Sequence, residues 1–242
     1  MKFLTLRVRI RLTKQLIVNA DDFGYCIGIN KGIIQAHEEG IVTSASLMVD
    51  APKVNEAVKF LKKTPKLGVG LHFVLTDEEN RVVRPIKQVL SVILIKRAGK
   101  EFRRQFEKFI KLTGKLPDHL DSHFNSHKWP RILPLFKNLS EKHKIPIRDT
   151  GKIGFINRFF GMNEITGLPE IERVSAKSLL VILKTLPEGI TELMCHPGLV
   201  TPDLKSSYNF QRGIELRTLT DKRVKDFLTQ NKIKLINFSE IP

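Results

Sequence analysis

Residues 15–24 read QLIVNADDFG. Gln15 to Ala20 is a short, mostly apolar run of the kind that forms a buried strand. It leads directly into two adjacent acids, Asp21 and Asp22, with Phe23 and Gly24 closing the stretch. Adjacent aspartates also serve as turn or helix caps. At the end of a buried strand, however, a carboxylate is expensive unless it is paired or sits on a metal. The stretch therefore predicts both a central strand and a chemical site at its C-terminal end.

Outward from this strand, short apolar runs alternate with longer amphipathic ones. Ile27 to Glu39 reads as a helix that Gly40 ends, and Val42 to Val49 as a second strand. Lys53 to Lys63 carries Val54, Ala57, Val58 and Leu61 at helical spacing, and Leu67 to Phe73 is a third strand. Residues 85–113 hold one or two helices, with a break expected near Ala98-Gly99. His119 to Ser122 is a short fourth strand, Pro130 to Lys142 a helix, and Ile145 to Arg148 a candidate fifth strand. Residues 151–172 are punctuated by Gly and Pro and give no periodicity. Ser175 to Thr185 is helical, Thr191 to Cys195 a strand, Thr220 to Gln230 helical and Ile233 to Phe238 a last strand. Such alternation implies a parallel sheet with crossover helices outside it. About seven strands in a chain of 242 residues predict a closed or nearly closed (β/α) barrel in one domain, 16–242, after a basic lead-in, 1–15. A doubly wound open sheet is the alternative.

Composition narrows the function classes. Hydrophobic residues make up 41% and charged residues 27%, a globular balance that excludes a disordered tail or a disulfide miniprotein. Two cysteines, Cys26 and Cys195, form no framework and no metal-type pair, which predicts buried thiols in a reducing, cytoplasmic setting. The chain contains no apolar run long enough to span a membrane. Arg7, Arg9 and Arg11 interrupt the apolar residues of the N-terminal lead-in and argue against a secretory peptide. With 41 Lys and Arg against 25 Asp and Glu, the net charge is +16. It is spread over residues 2–14, 96–111 and 205–234 with no basic-aromatic platform. A solvated basic surface is expected, with at most loose attraction of an anionic ligand and no specific nucleic-acid partner. A homodimer is left open.

The chemistry-bearing side chains collect at strand ends. Asp21 and Asp22 follow the first strand, His72 ends the third, Asp121, His123 and His127 follow the fourth, and His196 follows TELMC and is held by Pro197-Gly198. In a parallel barrel these ends share one face, where such folds place their active sites. An Asp/His/His set suits a divalent ion with positions left for water and substrate. A second carboxylate could take the proton from that water and a separate imidazole could give one to a leaving amine. This equipment hydrolyses amides, and would serve esters or phosphoesters almost as well. His37 and His143 read as surface residues.

NADDFG, GIVTSASLMV, VGLHFVLT, HLDSH and ELMCHPG, in this order, resemble the YdjC-like carbohydrate deacetylases of the ChbG and HpnK type, over about Leu16 to Phe238. The resemblance implies a (β/α) barrel of the glycoside hydrolase and polysaccharide deacetylase kind, and removal of acetyl groups from N-acetylated sugars with one divalent metal, Mg2+ or Zn2+. Carried over by motif, it implies Asp22, His72 and His123 as metal ligands, Asp21 as general base and His196 as general acid. It places His127, Asn125 and Phe73 at the substrate rim. Family members often read DSHHHVH where this chain has Phe124 and Asn125 inside the motif. The stretch between His72 and His119 is also short and lacks an expected Gly-rich loop. The rival readings are a phosphoester or anionic-glycan hydrolase on the same metal centre and a non-catalytic basic binding protein.

Overall fold

The computed structural model describes residues 13–76, 92–151, 153–163, 165–204 and 206–241. The lead-in to residue 12 and the stretch 77–91, including the start of the helical region expected from 85, lie outside them. Seven strands are seen: β1 (Lys14–Phe23), β2 (Ser44–Leu47), β3 (Gly68–Phe73), β4 (Leu120–Ser122), β5 (Gly154–Ile156), β6 (Gly189–Cys195) and β7 (Lys234–Leu235). Every named pairing is parallel, in the order β4-β3-β2-β1-β6-β5, with β7 added to the start of β1. The fold is a distorted α/β half-barrel with β1 at its centre. Leu16, Val18 and Ala20 pack into the main core at 0% exposure, which explains why this run reads as a fully buried strand.

Helices α1 (Ile27–Glu38), α2 (Val54–Lys63), α3 (Val92–Thr113), α4 (Leu133–His143), α5 (Ala176–Lys184), α6 (Phe210–Leu219) and α7 (Lys222–Gln230) complete the fold. The Cys26 thiol accepts the Ile29 N–H at the start of α1. Cys26 and Cys195 are both free and buried. No helix of the described residues is long and apolar enough to cross a membrane.

Two local expectations change, and the third departure is a helix, α6, that the sequence pattern does not predict. First, α3 runs through Ala98-Gly99 without a break. Interior glycine costs a helix only about 1 kcal/mol, and buried Phe102, Phe106 and Phe109 on the same helix anchor it to the core. Second, Ile145 to Arg148 makes no strand. Ile147 forms a single parallel bridge to Leu120, and β5 lies instead in the stretch without periodicity, at Gly154–Ile156. Third, α6 carries no apolar signature because its buried face is largely polar, with Gln211, Arg212, Glu215 and Thr218 on it. Several of those polar groups serve the site described next.

Candidate metal centre and active site

Neighbouring residues on a strand face opposite sides, so Asp21 and Asp22 should point apart. A bulge prevents this. Asn19 and Ala20 align with Ser44 and Ala45, but Phe23 aligns with Leu47, so β1 holds one residue more than β2. Asp22 takes up the extra length with φ 68°, a left-handed conformation that few side chains other than Asp and Asn accept. Both carboxylates are buried, at 3% and 4% exposure.

Asp22 Oδ1 lies 3.6 Å from His72 Nε2 and 3.4 Å from His123 Nδ1. One ligating atom from each of the three lies within 4.8 Å of the others. Asp22 Oδ1 and His72 Nε2 are buried with no hydrogen-bond partner among the described residues. Two ligand atoms about 2.05 Å from a tetrahedral ion would sit roughly 3.3 Å apart, so the donor set and its spacing fit a small divalent cation. The other nitrogen of His72, Nδ1, meets Asp121 Oδ1 at 2.8 Å. That contact makes Nδ1 a donor and points Nε2 toward Asp22, the arrangement that orients metal-binding histidines. Burial opposes a charge on His72, but Asp121, Asp21 and Asp22 outweigh it and push the ring up to about 9. Burial likewise opposes ionisation of Asp22, yet Arg212, ahead of His123 and His72, holds its carboxyl well below the usual range.

A second layer centres on Arg148, a fully buried guanidinium. Its Nη1 and Nη2 donate to Asp21 Oδ2 and Oδ1 at 2.8 and 2.6 Å, and its Nε donates to Glu192 Oε1 at 2.8 Å. Nη2 also lies 2.8 Å from Asp121 Oδ2. One cation thus ties acids from β1, β4 and β6 together. Burial opposes the charge of Arg148, but Asp121, Asp21 and Glu192 override it and keep the guanidinium ionised. Ser46 extends the network: its hydroxyl donates to Asp121 Oδ2 at 2.6 Å and accepts from Asn19 Nδ2 at 2.7 Å. His119 Nε2 lies 3.0 Å from the same hydroxyl. A Cβ at Gly70 would lie 2.4 Å from the His119 ring, so the strand passes that ring only as glycine.

His196 follows β6, and its Nε2 lies 3.9 Å from Asp21 Oδ2. Its backbone N–H donates to Glu215 Oε2 at 2.5 Å, and Tyr208 donates its hydroxyl to the other Glu215 oxygen. Burial raises Glu215 to about 7. The Nδ1 of His196 has no partner among the described residues, so no carboxylate there orients this ring. Phe160 and Tyr208 flank it instead, with ring centroids 5.4 and 5.6 Å away. Burial, only partly offset by Asp21 and Asp22, pushes the imidazole down to about 4. The turn after His196 is fixed by packing against α1, since a Cβ at Gly32 would lie 2.5 Å from Gly198 Cα.

The structure brings Asp21, Asp22, His72, His123 and His196 to one end of the sheet. It does not bring Phe73 there. Phe73 points to the opposite face from His72 and packs edge-on against Phe102 of α3 and Phe136 of α4 at 5.2 and 5.7 Å. His127 is fully buried, its Nδ1 2.8 Å from the Ser122 hydroxyl, and burial lowers it to about 4. Asn125 sits close after His123 with φ 51°, next to half-exposed Phe124. Sequence reasoning does not find Arg148, Arg212, Glu192 or Glu215. A charged residue inside an apolar strand run, as Glu192 is in TELMC, is the available signal for one of them.

A family described as "YdjC-like protein" matches residues 15–230. A carbohydrate deacetylase of Clostridium beijerinckii is 36% identical, over 94% of this chain and 100% of its own length. A chitooligosaccharide deacetylase of Proteus mirabilis is 31% identical, over 93% and 98%. Among solved structures, an Enterococcus faecalis V583 protein named for cellobiose-phosphate cleavage superposes with a TM-score of 0.80 at 26% identity, covering 93% of this chain and 98% of that one. A family 4 carbohydrate esterase from Streptomyces lividans shares the fold, with a TM-score of 0.56 at 11% identity over 93% and 92%.

Proposed function

The chain belongs to the YdjC-like family, and on that premise we propose that it is a metal-dependent carbohydrate N-deacetylase. Its substrates are N-acetylated sugars: chitooligosaccharides, or glycans and glycolipids that carry N-acetylglucosamine. The observation that carries this is the convergence of unpartnered Asp22 Oδ1 and His72 Nε2 with His123 Nδ1, beside an acid and an imidazole 3.9 Å apart.

Asp22, His72 and His123 would hold one Mg2+ or Zn2+. When bound, such an ion polarises the acetyl carbonyl and makes water more acidic. Asp21 is the general base. Its Oδ1 already accepts from Arg148 and from Asn19 Nδ2 at 3.0 Å, whereas Oδ2 accepts only from Arg148 among the described residues. A carboxylate oxygen has two lone pairs, so Oδ2 keeps one free for the attacking water's proton, on the side of His196. The proton that Asp21 takes from water passes to His196, whose Nε2 lies 3.9 Å away and which burial keeps neutral until then. His196 gives it to the departing amine, because an amide nitrogen leaves only as an amine. Asn125 belongs to the substrate rim, while buried His127 and Phe73 support the site from behind. Two free, buried thiols suit a reducing cytoplasm.

The test is acetate release from N-acetylglucosamine oligomers by metal-stripped protein with Mg2+ or Zn2+ added back. Metal-restored acetate release from wild type, with neither metal binding nor activity in His72→Ala, is expected. Activity that survives stripping, or a metal-replete and active His72→Ala protein, overturns the ligand set. Phosphate release from a matched phosphoester panel, without acetate release, would mark a phosphoesterase instead.

A further inference from the structure

On the reading that Asp22, His72 and His123 hold a divalent ion, we propose that Arg212 makes Asp22 a one-oxygen ligand and so tunes the site against large ions such as Ca2+. The two oxygens of Asp22 have different surroundings. Oδ1 faces the two imidazoles and has no hydrogen-bond partner among the described residues. Oδ2 accepts from Arg212 Nη2 at 2.5 Å, a charge-assisted bond between side chains that are each 6% exposed.

Arg212 has little freedom to yield. Its Nε donates to the Tyr208 carbonyl at 3.0 Å, and its guanidinium carbon lies 5.6 Å from the Tyr208 ring centroid. Its own carbonyl accepts the Gly198 N–H at 3.2 Å, which ties α6 to the turn after His196. Asp22 is equally fixed, by the bulge and its left-handed backbone. Turning the carboxylate to present both oxygens would break the bond to Arg212 and strand a buried cation.

The consequence depends on ion size. Ca2+ prefers about six to eight oxygens at roughly 2.3–2.6 Å and often takes a carboxylate through both of them. Zn2+ and Mg2+ accept one oxygen at about 2.0–2.2 Å. Asp22 Oδ2 keeps a second lone pair, but its charge is already shared with Arg212, which makes it a poor donor; the carboxylate is therefore sufficient for a small ion and weak for a large one. The positive charge of Arg212 repels every divalent ion alike, so the discrimination comes from the engaged oxygen.

The experiment titrates Ca2+, Mg2+ and Zn2+ into metal-stripped wild type, Arg212→Lys and Arg212→Met by calorimetry, with circular dichroism on each. In folded Arg212→Met the Ca2+ to Zn2+ affinity ratio should rise about tenfold or more, the scale on which residues behind metal ligands act. Arg212→Lys, still able to hold one oxygen, should stay near the wild-type ratio. An unchanged ratio in folded Arg212→Met overturns the proposal. A crystal structure of wild type soaked in Zn2+ tests it without any variant. Oδ1 on the ion with Oδ2 still on Arg212 supports it, and both oxygens on the ion overturn it while leaving the three-residue site standing. Wild type that binds no divalent ion, or binds it elsewhere, defeats the ligand set and this proposal together.

Discussion

Arg148 and Asp21 are joined by two hydrogen bonds, 2.8 and 2.6 Å long, across a sequence separation of 127 residues. The same guanidinium also answers Asp121 and Glu192, so it is the only charge that these three buried acids share among the described residues. Removing one partner of a buried ion pair typically costs about 3–5 kcal/mol, because the other is left unpaired. Arg148→Met should therefore lose at least that much in urea unfolding. A loss below about 1 kcal/mol would mean that the acids protonate or gain water cheaply once Arg148 is gone.

Asp21→Asn should retain the metal and lose the chemical step. The amide is nearly isosteric with the carboxylate but cannot take a proton, and losing a general base typically costs about 10²–10⁴ in rate. The introduced amide would also turn an N–H toward Arg148, so some loss of stability should accompany the loss of rate. Single-turnover rates at saturating metal are the measurement. Near-normal turnover would reduce Asp21 to a structural anchor for Arg148.

His196→Ala should separate two kinds of substrate. An amide nitrogen needs a proton to leave, whereas an activated phenyl ester leaves unaided. The variant should lose on the order of 10²-fold or more in kcat/KM on N-acetyl sugar and little on the ester, with unchanged metal content. Equal losses on both would assign His196 to oxyanion binding or positioning. Loss of metal would make it a fourth ligand.

Acid should weaken the fold through histidines buried in neutral form. Burial, only partly offset by Asp121, lowers His119 to about 4, and burial together with Arg148 lowers His127 to about 4. In the unfolded chain each would titrate near its ordinary value of 6.5. Between those values the unfolded state binds more protons, so this stabilisation is complete above about pH 6.5 and declines as pH falls toward 4. Urea midpoints at pH 7.5 and 5.0 should differ less for His119→Gln, which keeps a donor for Ser46 but cannot charge. Identical differences in both proteins would show that His119 does not contribute.

What the sequence makes legible follows from where its signals are strongest. Apolar runs ending in Asp-Asp, His72, Asp121 and His196 mark the buried parallel strands, and the structure gathers those ends at one mouth. Phe73 does not belong at the rim, and period two already separates it from His72, since adjacent strand residues cannot share a face without a bulge. Asp21 and Asp22 do share one, and the bulge responsible shows only in pairing with β2. Arg148, Arg212 and Glu215 carry no periodic signal. Arg148 ends an apolar run and Arg212 and Glu215 lie in a stretch with no apolar pattern, and the burial of each depends on partners more than 100 residues away or on a helix with a polar inner face. The Ile145–Arg148 segment reads as a strand because it is apolar, yet it spends its backbone on one bridge and its last side chain on the interior.

The extra residue in β1 makes chain length at this point matter as much as residue identity. Deleting Ala20 would bring Asp21 and Asp22 opposite Ala45 and Ser46 and restore even parity with β2 through to Phe23 and Leu47. One of the two acids would then swing to the helix side of the sheet, although both remained in the sequence. A change of this kind removes no acid and no histidine, yet it dismantles the site. Insertions in the connection after Phe73, by contrast, move no acid or histidine across the sheet. Variation in length is therefore tolerated unevenly along the chain, with the narrowest tolerance where backbone strain holds two carboxylates side by side.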